Sequence, residues 1–122
     1  MKNQRGFTIL ELMIVVSIAG ILLTMAQPSF QLTMHKARET ALKQNLFTMR
    51  DVIDQFRADV GHYPGSLDEL TTSGYLKRIP ADPFTKSTSL WQEIRDQADG
   101  GIFDIHSGSD LASIDGTPYN LW

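Results

Sequence analysis

The chain has 122 residues, with 11 basic and 14 acidic side chains, a formal net charge of −3 and no cysteine. This length leaves room for one small domain beside a long helix, and the lack of cysteine excludes a disulfide framework and thiolate chemistry. The acidic balance argues against nucleic acid as a partner, because surfaces that bind nucleic acid are basic.

An apolar run of 20 residues occupies positions 7–26, and its one charged side chain is Glu11. A helix of that length rises about 30 Å, the thickness of the hydrocarbon core of a bilayer, so we predict a transmembrane helix. Lys2 and Arg5 precede the run, which places that end in the cytoplasm. A carboxylate inside such a helix costs about 2.5–3.5 kcal/mol, so we expect Glu11 to have a partner.

Two simpler interpretations of this run stay open. In the first, the run is a secretory signal peptide cut after Ala26, although such peptides have an apolar core of about 7–15 residues and this one is longer and contains an acid. In the second, the run is a plain membrane anchor, and the Glu11 side chain reaches back to the cytoplasmic surface. Neither interpretation explains the glutamate near the start of the run.

The segment RGFTILEL at positions 5–12 resembles the processing site of type IV pilins and of the pseudopilins of type II secretion. The resemblance implies that a prepilin peptidase cuts between Gly6 and Phe7, removing residues 1–6 as a leader peptide. It also implies that the amine of Phe7 is then methylated. Glu11 stands at the position of the family's glutamate, the fifth of the mature chain, which implies a role in assembly.

The predicted transmembrane and assembly helix covers residues 7–27, and an amphipathic continuation covers residues 28–61. Pro28 removes a backbone hydrogen bond and predicts a kink. Beyond it, apolar side chains recur in steps of three and four residues, which is typical of one buried helix face. Gly61 is a suitable helix cap. The predicted buried stripe consists of Leu42, Leu46, Met49, Ile53, Phe56 and Val60.

Residues 62–122 form the predicted head. Ser66 and Glu69 fit a capping box, which predicts a short helix from Leu67 to about Thr72. Residues 75–83 contain two prolines and should run extended over the surface.

Residues 90–95 and 102–105 of the head have strand-like patterns, and a turn at 99–101 should pair them as an antiparallel hairpin. A lone hairpin is marginal in water, so it should cover the helix stripe. The predicted fold class is therefore α+β: a long N-terminal helix packed against a small antiparallel head.

The segment GYLKRIPADP at positions 74–83 is similar to the link between helix and sheet in the major pseudopilin of type II secretion. Type IV pilins usually close their carboxy-terminal region with a disulfide, so the lack of cysteine favours the pseudopilin. Two alternatives stay open. One is a type IV pilin of a surface fibre for adhesion, motility or DNA uptake, and the other is a membrane-anchored binding module.

The same resemblance implies a calcium-binding loop near residues 107–117, in which Asp110 and Asp115 align with the family's acids. Calcium takes six to eight oxygen ligands. The sequence departs from the family's pattern, because Leu111 stands where a glycine is usual and Asp115 alone remains of a pair of acids. The alternative is a plain polar loop whose Asp and Ser side chains bind their own backbone. Beyond calcium, we predict no cofactor.

No arrangement of residues in the sequence is typical of catalysis, since the three histidines are scattered and no nucleophile motif is present. We therefore predict a structural subunit and not an enzyme. It should be a single-pass protein of the inner membrane, with its N-terminus cytoplasmic and its head periplasmic. The resemblance implies polymerisation with further copies into a filament that drives protein export. It also implies contact with the inner-membrane assembly platform and with minor pseudopilins.

Overall fold

The structure is a computed structural model that describes residues 6–122. In chain order its elements are helix α1 (Ile9–Val60), helix α2 (Leu67–Thr72), strands β1 (Gln92–Arg95) and β2 (Ile102–His106), and a 3-10 helix (Tyr119–Leu121). The predicted α+β class is confirmed. Residues 1–5, most of the predicted leader, lie outside the described part. The chain divides into two compact units, one up to Lys36 and the other from Ala37 to Trp122.

The first unit is the leading part of α1, and its large apolar side chains are exposed. By length and composition, α1 contains a stretch near its N-terminal end that is apolar enough to cross a membrane. Its apolar surface has no cover within this unit, which suits lipid or further apolar helices. The helix continues without interruption through Pro28. The kink at Pro28 stays a prediction.

The second unit is built on the remaining part of α1. Five members of the predicted stripe are buried as expected. Val60 is the exception, since it is 47% exposed and Val52 is buried instead. Val60 is the last residue of the helix, and the chain leaves the helix axis at Gly61, which has a φ of 93°. The Gly61 N–H donates to the carbonyl of Arg57 at 2.8 Å, so the predicted cap is confirmed.

Helix α2 has the predicted bounds, and its capping differs in one bond from a standard capping box. The Ser66 hydroxyl accepts from the Glu69 N–H at 3.3 Å. The carboxylate of Glu69 reaches one residue further back than expected and accepts from the Gly65 N–H at 2.7 Å. The first bond satisfies an N–H group of the first helical turn, and the second binds the residue before the cap to the helix. The helix thereby turns Leu67 and Leu70 into the core.

Strands β1 and β2 form a two-stranded antiparallel sheet, as predicted. The register pairs Glu93 with Ile105 and has an irregularity between Ile94 and Arg95. The Ile102 N–H donates to the carbonyl of Pro64 at 2.8 Å, which ties β2 to the turn after α1. Ile102 and Ile105 of β2 pack with the buried stripe of α1 in one core.

Each buried Leu, Ile or Phe side chain contributes about 1.5–3 kcal/mol. The core consists of Leu42, Leu46, Met49, Val52, Ile53, Phe56, Leu67, Leu70, Trp91, Ile102, Ile105 and Tyr119.

Residues 75–83 form no helix or strand, as expected, but the segment does not lie entirely on the surface. Asp82 is completely buried, which the sequence analysis did not foresee. Its carboxylate accepts hydrogen bonds from the Ser107 hydroxyl and from the Phe84 N–H. The carbonyl of Pro80 accepts from the indole N–H of Trp91 at 2.8 Å. The Ser107 bond ties the segment to the exit of β2, and the Trp91 bond ties it to the residue before β1. The two bonds to Asp82 also supply the donors that a buried carboxylate requires.

The first prediction concerns Gly108, which lies against the main chain of Leu90. A Cβ atom at Gly108 would lie 1.8 Å from the carbonyl oxygen of Leu90 and 2.9 Å from its carbonyl carbon. Since backbone atoms cannot move aside cheaply, Gly108→Ala should destabilise the head by about 1–3 kcal/mol. Denaturant unfolding of the detergent-solubilised chain measures this.

Gly65→Ala is the matched control, because the Cβ there would meet its nearest atom, a Glu69 carboxylate oxygen, at 3.5 Å. Equal stability of the two variants would contradict the proposed close approach at Gly108.

Candidate functional site

The predicted processing site precedes the first turn of α1. Gly6, Phe7 and Thr8 are all exposed, and the Phe7 residue is 82% exposed. A Cβ atom added to Gly6 would meet nothing within 4 Å. The described structure therefore has room for a larger side chain at this position. A requirement for glycine here would have to come from a protein that binds this segment.

Thr8 and Glu11 form a reciprocal capping box at the start of α1. The Glu11 N–H donates to the hydroxyl of Thr8 at 3.1 Å, and the Thr8 N–H donates to Oε2 of Glu11 at 3.2 Å. Two N–H groups that the helix itself cannot satisfy are thus bonded. The negative side chain also lies where the helix dipole favours it.

The expected partner of Glu11 is Thr8, which was not predicted from the sequence. The signal was available, because a threonine three residues before a glutamate at the start of an apolar run is the pattern of a capping box. The consequence for the site is that Glu11 has a hydrogen-bonding partner within its own chain. Its second carboxylate oxygen, Oε1, can still accept donors, since an ionised carboxylate accepts about four hydrogen bonds.

The second group of predicted site residues lies in the loop at 107–117. Asp115 accepts hydrogen bonds from the Ser113 hydroxyl and from the Thr117 N–H, the latter at 2.9 Å. The bond from Ser113, followed by those from Thr117, lowers the pKa of Asp115 to about 2. This is the local turn bonding that the plain-loop alternative describes.

The structure does not gather metal ligands around Asp110 and Asp115. Both residues are exposed, and within residues 6–122 no three His, Cys, Asp or Glu side chains come together as a group that could hold a metal ion. The two acids by themselves are too few for calcium, which takes six to eight oxygens. Calcium binding at these residues stays a prediction.

Glu39, on the helix, contacts this loop and was missed by the sequence analysis. Its Oε1 atom accepts from the Ile114 N–H at 3.1 Å and from the Tyr119 hydroxyl at 2.7 Å. Glu39 lies 75 and 80 residues before these partners. No local pattern in the sequence could signal such a contact.

Arg50, on α1, contacts the carboxy-terminal part of the head. Its Nε atom lies 2.7 Å from Oδ1 of Asp104, and Nη2 donates to the carbonyl of Ile105 at 2.9 Å. Nη2 also donates to the main-chain oxygen of Trp122 at 2.7 Å. Lys43 lies on the same side, with its ammonium 4.9 Å from the centroid of the Trp122 ring. The two cations hold the carboxy-terminal strand and segment to α1.

The geometry therefore defines a class of protein: a subunit with an exposed apolar helix, a capped acidic residue at its start, and a small α+β head. A family model described as "Prokaryotic N-terminal methylation motif" matches residues 1–27. No solved structure matches the chain.

Several relatives that match most of the chain carry the name type II secretion system core protein G. The protein of Escherichia coli K12 is 33% identical over 98 residues, which cover 67% of this chain and 68% of that protein. The protein of Vibrio cholerae serotype O1 is 31% identical over 99 residues, or 69% and 68% of the two chains. The protein of Klebsiella pneumoniae is 29% identical over 106 residues, or 74% and 76%. The chain belongs to the family of type II secretion system core protein G, the pseudopilins of type II secretion.

The second prediction tests the capping box. Thr8→Ala removes the hydroxyl that accepts from the Glu11 N–H, whereas Thr8→Ser keeps it. Loss of such a cap costs about 0.5–2 kcal/mol, so the first turn of α1 should fray in the alanine variant. Amide hydrogen exchange of Glu11 and Leu12 in detergent micelles measures this. Unchanged exchange in Thr8→Ala, or equal exchange in both variants, would contradict the cap.

Proposed function

We propose that the chain is cut between Gly6 and Phe7, methylated at Phe7, and then polymerised into a helical pseudopilus filament. Membership of the core protein G family carries this proposal, together with the N-terminal methylation motif that ends within the apolar helix. Before assembly the helix of residues 7–27 spans the inner membrane. The N-terminus is cytoplasmic and the head is periplasmic, in accord with Lys2 and Arg5 before the run.

The exposed apolar surface of the first unit supplies the driving contact for polymerisation. In the membrane this surface is covered by lipid, and in a filament it is covered by the same helices of further copies. Each subunit offers one end of its helix to the next, and head-to-tail contacts whose rotation does not close build an open helical filament. A single kind of subunit therefore suffices to build a filament.

Glu11 selects the position of each incoming subunit. Cleavage gives Phe7 a cationic amine, and the incoming amine approaches the Glu11 carboxylate of the subunit already in place. Oε2 of that carboxylate accepts from its own Thr8 N–H, and Oε1 accepts the amine without loss of the cap. In a setting of low dielectric such a pair is worth far more than in water. The pair sets the axial offset between neighbouring helices.

The work of the filament is mechanical. It grows from the inner membrane towards the outer membrane and drives folded proteins out of the cell, with no catalytic step of its own. Its partners are a prepilin peptidase, the inner-membrane assembly platform, minor pseudopilins and further copies of the chain. Deletion should abolish secretion, whereas loss of surface fibres with normal secretion would favour a type IV pilin.

The third prediction concerns cleavage. Because the fold leaves open space beside Gly6, Gly6→Val should fold and insert normally but remain uncut, since a branched side chain does not fit the peptidase. Mass spectrometry of the membrane fraction reads the N-terminus directly. Gly20→Ala is the control, because it also adds a side chain into open space yet lies away from the cut. Mature Phe7 in the Gly6→Val protein would refute the cleavage site.

The fourth prediction separates the charge of Glu11 from its role as a cap. Glu11→Ala should insert and be cleaved but form filaments at least tenfold more slowly, and Glu11→Asp should be intermediate because its shorter side chain misplaces the charge. Glu11→Gln keeps an oxygen for the Thr8 N–H but carries no charge, so it should fail like alanine. Filament yield and secretion rate are the measurements.

Filament formation by Glu11→Gln at the parent rate would show that the cap matters and the ion pair does not. Assembly of Glu11→Ala at the parent rate would remove Glu11 from the mechanism altogether.

A further inference from the structure

The carboxy-terminal loop is held at its base by its own backbone. The Ser113 N–H donates to the carbonyl of Thr117 at 2.8 Å, and the Gly116 N–H donates to the carbonyl of Ser113 at 3.0 Å. Ala112 and Pro118 form an antiparallel bridge at the same place. These bonds close residues 112–118 into a tight turn, and they need no ion.

Two carboxylates then fasten this turn, one from the loop and one from the helix. Asp115 binds the Ser113 hydroxyl and the Thr117 N–H inside the turn. Glu39 binds the Ile114 N–H and the Tyr119 hydroxyl from outside it. Each carboxylate therefore faces hydrogen-bond donors, which supply the positive partial charge that a bound cation would otherwise supply.

A formal positive charge is also present at the turn. The ammonium of Lys43 lies near enough to Asp115 to contribute to the lowering of the pKa of that carboxyl. Glu39 and Lys43 are one turn apart on the same helix, so the helix presents an anion and a cation side by side to the loop. An added calcium ion would have to displace these donors or repel this cation.

We propose that Glu39 anchors the carboxy-terminal loop to the helix, so that the head reaches its full stability without calcium. The inference is independent of cleavage and filament formation, because its residues all lie in the second unit. In this chain the loop is attached by intrachain contacts.

The Tyr119 phenol gives a spectroscopic signature of the anchor. Tyr119 is fully buried, and burial, followed by its hydrogen bond to Glu39, raises its pKa well above the ordinary value near 10. The folded state therefore favours the neutral phenol. Its contribution to stability is complete below about pH 10 and is lost as the pH rises beyond that value.

The experiment compares melting temperatures of the full chain in detergent, with excess EDTA and with added calcium. The parent should melt at the same temperature in both solutions. Glu39→Ala should melt about 4–8 °C lower in both, and Glu39→Gln should recover part of the loss because it keeps an acceptor oxygen. Tyr119→Phe should add little in the Glu39→Ala background, since the two changes remove the same hydrogen bond.

Two control variants keep the test specific. Asp54→Asn removes an exposed carboxylate of the same helix and should leave melting unchanged, as should Asp110→Asn in the loop. If Glu39→Ala does not fold, absorbance titration of the parent and of Tyr119→Phe still tests the anchor. The pKa values of Tyr75, which is bonded to Asp59, and of Tyr119 are both raised, so two tyrosines of the parent should ionise above the ordinary range. Only one such tyrosine should remain in Tyr119→Phe. A lower melting temperature on chelation, parent-like melting of Glu39→Ala, or ordinary titration of Tyr119 would each overturn the proposal.

Discussion

The head depends on the burial of one face of α1. A two-stranded sheet is too small to stand alone in water, and α2 has six residues, so neither could persist without the helix stripe from Leu42 to Phe56. The stripe receives Leu70 from α2 and Ile102 and Ile105 from β2 in a single core. Because the buried apolar side chains of the head share one core with this face, the helix is the scaffold to which the later elements are attached.

The two parts of α1 differ in how far their apolar side chains are covered. Its leading part leaves its apolar side chains exposed, whereas its later part shows one apolar face and carries the charged residues that hold the head. At the start of the helix, Thr8 and Glu11 satisfy each other's N–H groups, so the acidic residue has a partner within its own chain. The Oε1 atom of Glu11 can still accept further donors, because an ionised carboxylate accepts about four hydrogen bonds.

The contacts that place the carboxy-terminal segment are polar and come from the helix. Arg50 binds Asp104 and two main-chain oxygens, and Glu39 binds Ile114 and Tyr119. Around them, Tyr119 stacks on Phe84 with ring centroids 4.0 Å apart. The carboxy-terminal segment is thus positioned by charged groups at the edge of the core, and by aromatic rings within it.

The sequence by itself determined the features of the fold that depend on residues close together in the chain. The apolar run, most of the helix stripe, the bounds of α2 and the turn before β2 all follow from spacing within a few residues, and even the Thr8–Glu11 cap was readable from its spacing of three. Only the tertiary structure decided the roles of Glu39, Arg50 and Asp82. Each is a charged residue that a solvated surface would equally accommodate, and each has at least one partner 25 to 80 residues away. Such pairings depend on how the chain folds back on itself, which local periodicity does not encode.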